Sequence, residues 1–467
     1  MNIQIPQPSR REFLHFLKRG ALSLPFLPLL SLPQGQAQAQ RKSLHFHPIQ
    51  PSLQDRLVLS RDFQSYVIAS WGDTINSKGD TFGFNNDYTA FLPLYNENDA
   101  LLWVNHESPN RLFINGLEPG QKPNRAQVQK EQYAVGGSII RIRREHREAP
   151  WQMVQDNRYN RRLTAQTEIP FVSERPILGK MTAIGTLANC SGGVTPWQTI
   201  LTCEENYDEF YNEADYQSGA RKLRDPRSHF GWEEHFAYPP EHYGWVVEVN
   251  PRTGRAQKLT ALGRFAHEGA AIVTARNGRA VVYMGDDAYD QCIYKFVAKN
   301  KNSLKEGELF VADLERGRWC SLDIKKQKSL QKHFRDQTEV LIRAREAARW
   351  VGGTPLDRPE DIEVDPLTGA IYVCLTNNPK KGNDFGSILK IEEDEGDFLS
   401  KEFDAQTFLA GGPQTGFACP DNLSFDGLGR LWMTNDISNS WIGKKRYKSF
   451  GNNGLYHIPL QGPQAGK

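Results

Sequence analysis

Short runs in which apolar, β-branched or aromatic residues alternate with polar ones recur along the chain. Examples are Ser138-Ile139-Ile140-Arg141-Ile142, Gly244-Trp245-Val246-Val247-Glu248-Val249, Cys292-Ile293-Tyr294-Lys295-Phe296-Val297, Ser387-Ile388-Leu389-Lys390-Ile391 and Gly454-Leu455-Tyr456-His457-Ile458. Each predicts one strand. Turn formers punctuate them. Asn250-Pro251-Arg252-Thr253-Gly254 follows one run. Asp365-Pro366-Leu367-Thr368-Gly369 and Asp426-Gly427-Leu428-Gly429 each separate two strand-like segments, which predicts antiparallel hairpins. The runs start near 138, 244, 292, 387 and 454, at gaps of one or two units of about fifty residues, a spacing found in propeller blades. The pattern predicts an all-β chain with around six such units, and an irregular sandwich of repeated hairpins is the alternative. Two stretches break the pattern. Residues 209–242 read as a long loop, and 329–350 read as an amphipathic helix whose Arg and Glu residues face water and cover a surface.

Composition agrees with short strands and tight turns. Aromatics make up 11% of the chain, with 39 Gly, 27 Pro and only 5 Met. The net charge of +2 leaves no nucleic-acid footprint and no acidic tail, so small molecules or ions are the expected partners. At the start, Ser9-Arg10-Arg11-Glu12-Phe13-Leu14 precedes an apolar stretch at 20–32 and then Ala37-Gln38-Ala39. That order predicts a twin-arginine signal peptide over 1–39 and a single mature domain over 40–467. Pro25 and Pro28 interrupt the apolar stretch, so no stable membrane anchor is expected. The destination is the periplasm or the exterior, reached through the twin-arginine machinery. Because that route carries folded proteins, it favours a metal or cofactor installed beforehand. In such an oxidising compartment the six cysteines at 190, 203, 292, 320, 374 and 419 have the opportunity to pair, though their spacing is that of no dense disulfide scaffold.

Five clusters of metal-type ligands sit among Gly, Asn and Pro, outside the regular strand pattern. They are Asn105-His106-Glu107; Asn189-Cys190-Ser191-Gly192-Gly193 with Glu204-Glu205-Asn206; His267-Glu268-Gly269; Arg358-Pro359-Glu360-Asp361; and Cys419-Pro420-Asp421-Asn422. A propeller would gather such distant clusters at its axis. Carboxylates arriving singly from separate repeats suit hard cations such as Ca²⁺, or a ferric ion with mixed ligands, and the thiol beside paired carboxylates adds a soft ligand to hard ones. Arg358, planar and permanently charged, suits a phosphate.

The series NHE at 105–107, NCSGGVTPWQTILTCEEN at 189–206, RFAHEGAA at 264–271, GDD at 285–287, RPED at 358–361 and ACPDNL at 418–423 resembles the PhoX family of bacterial alkaline phosphatases. The resemblance covers nearly the whole mature chain in order. It implies a six-bladed β-propeller whose axial centre holds Fe³⁺ and Ca²⁺ and hydrolyses phosphate monoesters. By the same resemblance Cys190 is an iron ligand, Glu268 and Glu360 bind the central metals, Asp421 is a further ligand, and Arg358 holds the substrate phosphate. Glu204, Glu205 and Asn206 belong to the metal or phosphate region, and Glu107 joins the expected metal ligands. Lys180, ten residues before Cys190, is a candidate for the phosphate, and His106 and His267 are candidates for acid, base or supporting roles. A monomer is expected. The rival classes are a calcium-dependent propeller lactonase or phosphotriesterase, which has no need of Cys190, and a propeller that only binds a partner.

Overall fold

The two turn sequences singled out above close antiparallel hairpins in the computed structural model, which describes residues 46–216 and 220–460. Val364 pairs with Ile371 across one turn and Phe425 with Leu431 across the other. The Asp365 carboxylate accepts from Leu367 N at 3.0 Å and from the Thr368 hydroxyl at 2.6 Å, and Gly369 takes the left-handed conformation (φ 77°) that the turn requires. The expected signal peptide at 1–39 lies outside the described residues.

Five sheets of three to six strands follow one another along the chain, mostly antiparallel. The first holds Asn86–Asn96, Asp99–His106 and Gly136–Arg143, with Gln152–Val154 and Arg161–Leu163 on its outer side. In the second, Asn189–Val194, Ile200–Glu204, Val246–Val249 and Ala256–Leu259 are followed by Glu168–Val172, which runs parallel to the last of these, and then by Thr182–Ile184. The third runs from Ala271–Thr274 to Arg318–Ser321, the fourth from Pro359–Val364 to Phe403–Ala410, and the fifth from Pro420–Phe425 to Leu455–Ile458. Two-stranded ribbons, Ala214–Asp215 with Lys222–Leu223 and Tyr289–Gln291 with Leu356–Asp357, complete the described strands. The chain is therefore mostly β with few, short helices. Around six repeats were expected, and the described residues form five such sheets, each open at its edges.

Alternation puts one apolar face of each sheet against its neighbour. Trp103 and Ile139 of the first sheet pack on Ile200 and Val247 of the second, Val281 and Tyr283 of the third on Ile371 and Val373 of the fourth, and Cys374 and Ile388 of the fourth on Leu423 and Met433 of the fifth. Burial of such side chains stabilises by roughly 1.5–3 kcal/mol apiece. The leading strands touch in succession: Asn189–Val194 meets Asn86–Asn96 and Ala271–Thr274, which meets Pro359–Val364, which meets Pro420–Phe425.

Residues 329–350 differ from the single helix expected. Three short helices, Lys328–His333, Gln337–Ile342 and Ala344–Val351, replace it, because the Asp336 side chain caps the second by accepting from Glu339 N at 3.0 Å and Arg343 leaves helical geometry at φ −108°, ψ 38°. Their Leu330, Val340, Ala344, Ala347 and Ala348 are fully buried in the core of the third sheet, so the passage is a wall of that core as well as a surface. The 209–242 stretch also packs, with Phe210, Tyr211, Phe230 and Trp232 in one buried aromatic cluster and Tyr211 stacked on Tyr243. All six cysteines are buried and free. Among the described residues no helix is long and apolar enough to cross a membrane.

Candidate metal centre

The chain delivers a ligand by the same backbone device four times. Asn85, Ala188, Arg358 and Cys419 have φ of 57°, 50°, 56° and 54°. Two residues later, as the second residue of the leading strand of its sheet, stands Asp87, Cys190, Glu360 or Asp421. In each strand the pairing register shifts across that residue: between Asn86 and Thr89, Asn189 and Gly192, Pro359 and Ile362, and Pro420 and Leu423. A left-handed residue costs roughly 1–2 kcal/mol where the side chain is not Gly, and a bulge re-aims the side chain it displaces. Four repetitions of the same unfavourable start, all at chemically reactive residues, mark a functional site. Glu268 arrives differently, just ahead of Ala271–Thr274, where Ser191 N donates to its carbonyl at 2.9 Å.

These starts converge on two groups of ligand atoms. Cys190, Glu205 and Glu268 place theirs within 4.8 Å of one another, and so do Glu268, Glu360 and Asp421. Glu268 belongs to both. Its Oε1 lies 3.2 Å from Cys190 Sγ and accepts from Asn422 Nδ2 at 3.2 Å. Asp87 Oδ2 lies 3.7 Å from the same sulfur. Beneath, the fully buried Asn105 amide donates to the carbonyls of Cys190 and Ser191 at 2.5 and 3.1 Å, while its oxygen accepts from Trp103 Nε1 and Thr202 Oγ1. It pins the thiol-bearing strand to the first sheet. Asp361 ties three strands together below the centre, accepting from the Ser191 hydroxyl at 3.5 Å and from Leu423 N at 3.0 Å.

Burial and the repulsion of neighbouring carboxylates raise the candidate ligands. Glu205, Glu268 and Asp421 are pushed well above the usual carboxylate range by burial first and by a neighbouring carboxylate second, Asp287 for Glu205 and Glu360 for Glu268 and Asp421; Glu360 and Glu107 are pushed to about 8 and Asp87 to about 6. Burial beside Asp87 and Glu268 likewise holds the Cys190 thiol far above its normal value. A cluster of this kind is stable in ionised form only with positive charge in its middle. Arg358 supplies one such charge. Its Nε and Nη2 grip the Asp287 carboxylate at 2.8 and 2.6 Å, and Nη2 lies 2.7 Å from Glu360 Oε1. The remainder suits multivalent cations: several hard oxygens and one soft sulfur, at ligand spacing, form a donor set for a mixed metal centre.

Not every expected residue joins. Glu204, fully buried, bonds Lys258 Nζ at 2.6 Å and Trp245 N at 3.1 Å, so it faces away from Glu205 and from the centre. Lys180 is exposed in the turn it forms with Ile177, beside His242 rather than at the cluster. Glu107 and Asn206 lie side by side at the rim near Asp87 and Asp436, and Asn85 Nδ2 donates to the Glu107 carboxylate at 3.5 Å. His106 is buried with Nε2 2.7 Å from the Ser138 hydroxyl, and burial holds it neutral. His267 bonds the Gly263 carbonyl at 2.9 Å, and burial lowers its pKa to about 3. Neither histidine belongs to the two ligand groups. Sequence reasoning missed Asp87 and the role of Asp287. The signal for Asp87 was its place two residues after Asn85, a residue type that tolerates the left-handed conformation.

A family model described as alkaline phosphatase PhoX matches residues 44–467. Among solved structures, Pseudomonas fluorescens PhoX in complex with vanadate, a transition state analogue, is similar at a TM-score of 0.79 and 30% identity, covering 89% of this chain and 87% of that one. A protein of unknown function from Dyadobacter fermentans (8% identity, 85% and 87% of the two chains) and a putative glucose dehydrogenase from Thermus thermophilus (11%, 81% and 85%) reach TM-scores of only 0.34, too low to bear on fold or chemistry. No curated protein matches the chain significantly.

Proposed function

Because this chain belongs to the PhoX alkaline phosphatase family and is a phosphomonoesterase, we propose that its hydrolysis runs at a mixed Fe³⁺ and Ca²⁺ centre held by Cys190, Glu205, Glu268, Glu360 and Asp421, with Asp87 and Glu107 as outer ligands. The observation that carries the reading is the pair of ligand groups sharing Glu268, with Arg358 standing against Glu360 at their edge. When bound, such cations would screen the phosphate charge and polarise the attacking and leaving oxygens. The chain's own part is orientation. Asp287 fixes the Arg358 guanidinium in plane by two parallel bonds, so the N–H groups left over point in a set direction toward a phosphoryl oxygen. Asn105 and Asn422 hold Cys190 and Glu268 from behind. Asn206, beside Glu107, is a neutral donor at the rim. That the Pseudomonas fluorescens relative takes vanadate, a transition state analogue, supports phosphoryl transfer as the chemistry.

The succession of leading strands supports reading the five sheets as part of a six-bladed β-propeller with the centre on its axis. The same reading takes 1–39 as a twin-arginine signal, 40–467 as the catalytic domain, and a monomer acting on small phosphate esters in the periplasm or outside the cell. Hydrolysis of p-nitrophenyl phosphate by natively exported protein, followed through chelation and re-addition of metals, tests the centre. Activity should fall on chelation and return with iron and calcium together. Full recovery with calcium alone would instead favour a calcium-only site in which Cys190 has no role.

A further inference from the structure

A cavity of about 370 Å³ opens beside Arg358, lined also by Tyr289, Asn377, Cys419, Trp441 and Tyr447. Arg358 faces two ways, pairing with Asp287 and Glu360 at the centre and lining this cavity. The cavity is therefore space open to the alcohol portion of an ester whose phosphoryl group meets Arg358. The volume lies in the range of small-molecule pockets, several times what a short aliphatic alcohol fills.

Three aromatic side chains, Tyr289, Trp441 and Tyr447, stand in the lining among polar and charged groups that include Asp384 and Asp436. Asn377 donates to the Cys419 sulfur at 3.3 Å and accepts from the Tyr289 hydroxyl at 3.4 Å, and the Tyr447 hydroxyl donates to the Asp384 carbonyl at 2.6 Å. At the mouth, Tyr289 and Trp441 are 41% and 40% exposed, large flat apolar surfaces left in water. Positive charge accompanies both rings: Lys380 Nζ lies 5.6 Å from the Tyr289 ring centre and Lys445 Nζ 4.7 Å from that of Trp441. Their neighbours Lys381 and Arg446 are instead paired with Asp290 and Asp384. Aromatic faces with adjacent cations, ahead of a phosphate clamp, form the combination that receives flat π-bonded rings joined to phosphate.

We propose that this cavity is the subsite for the alcohol portion of the ester and selects phosphate monoesters whose alcohol carries a flat ring, nucleosides among them, over those of small aliphatic alcohols. The proposal rests on Arg358 receiving the phosphoryl group. Adenosine 5′-monophosphate and ribose 5-phosphate test it, because in both the leaving group is the ribose 5-oxygen and they differ in carrying adenine or a hydroxyl at C1 of the sugar. On the metal-loaded enzyme, kcat/KM for the nucleotide should exceed that for the sugar phosphate roughly tenfold, the size of one aromatic stacking contact. Trp441→Ala and Tyr289→Ala should each bring the ratio toward one, and Trp441→Phe should keep most of it. A wild-type ratio near one, or a ratio that survives both alanine variants, overturns the proposal. Arg358→Ala reports separately on the clamp: undiminished turnover of ribose 5-phosphate would overturn that reading and this one with it.

Discussion

Lys258 Nζ lies 2.6 Å from Glu204 Oε1, with both side chains fully buried in the second sheet. The pair draws the first of two adjacent glutamates into the sheet and leaves Glu205 to face Cys190 and Glu268. Removing one partner of a buried ion pair strands the other, so Lys258→Met should cost about 3–5 kcal/mol, and adding Glu204→Leu should recover most of it. Urea denaturation checks this. Iron and calcium content separates the two glutamates: folded Glu204→Gln should keep its metals and Glu205→Gln should lose them. Metal loss in Glu204→Gln with unchanged stability would return Glu204 to the centre.

Arg358 is supported by two bonds from Asp287 and stands 2.7 Å from Glu360. A charge donor preorganised in this way is worth on the order of 3 kcal/mol in the transition state. Arg358→Ala should lower kcat/KM for p-nitrophenyl phosphate by that amount, and Asp287→Asn, which loosens the guanidinium but retains it, by less. A change below about 1 kcal/mol for Arg358→Ala would place it outside the site.

Asp99, buried in the first sheet, accepts from Arg141 Nη2 at 2.6 Å and from Arg143 Nη2 at 2.9 Å. The Arg141 hydrogen bond, with Arg143 behind it, holds its carboxyl below the usual range. A carboxyl depressed on folding stabilises fully above its unfolded pKa of about 3.9 and loses that contribution as pH falls through the folded value. Unfolding free energies of the native protein and Asp99→Asn should therefore differ at neutral pH and converge below about pH 4. A difference that stays constant across that range contradicts the ion-pair assignment.

Much of this was readable beforehand. The alternating runs became strands because their apolar faces meet a neighbouring sheet, as Ile139 meets Val247 and Ile388 meets Met433. Cys190, Glu268, Glu360 and Asp421 stood out because carboxylates and a thiol next to Gly, Pro or Asn mark strand starts, and because the family motifs cover them. Asp87 escaped notice within a polar Asn85-Asn86-Asp87 segment, since only the left-handed Asn85 and the register shift after Asn86 aim it at the sulfur. Which of Glu204 and Glu205 faces the centre depends on a lysine 54 positions later. The charged 329–350 passage concealed Arg345, which reaches from the last short helix to the fully buried Asp286, next to the aspartate that grips Arg358. Such pairings join distant positions, and no local pattern encodes them.

The proposed phosphatase centre turns on Cys190 as an iron ligand. Visible absorption and p-nitrophenyl phosphate turnover, measured together on natively exported protein and on Cys190→Ser, test it most directly. The native protein should show a thiolate-to-iron band and turnover, and the variant should lose both while keeping its circular dichroism. A folded Cys190→Ser protein with the band and the activity unchanged would contradict the claim.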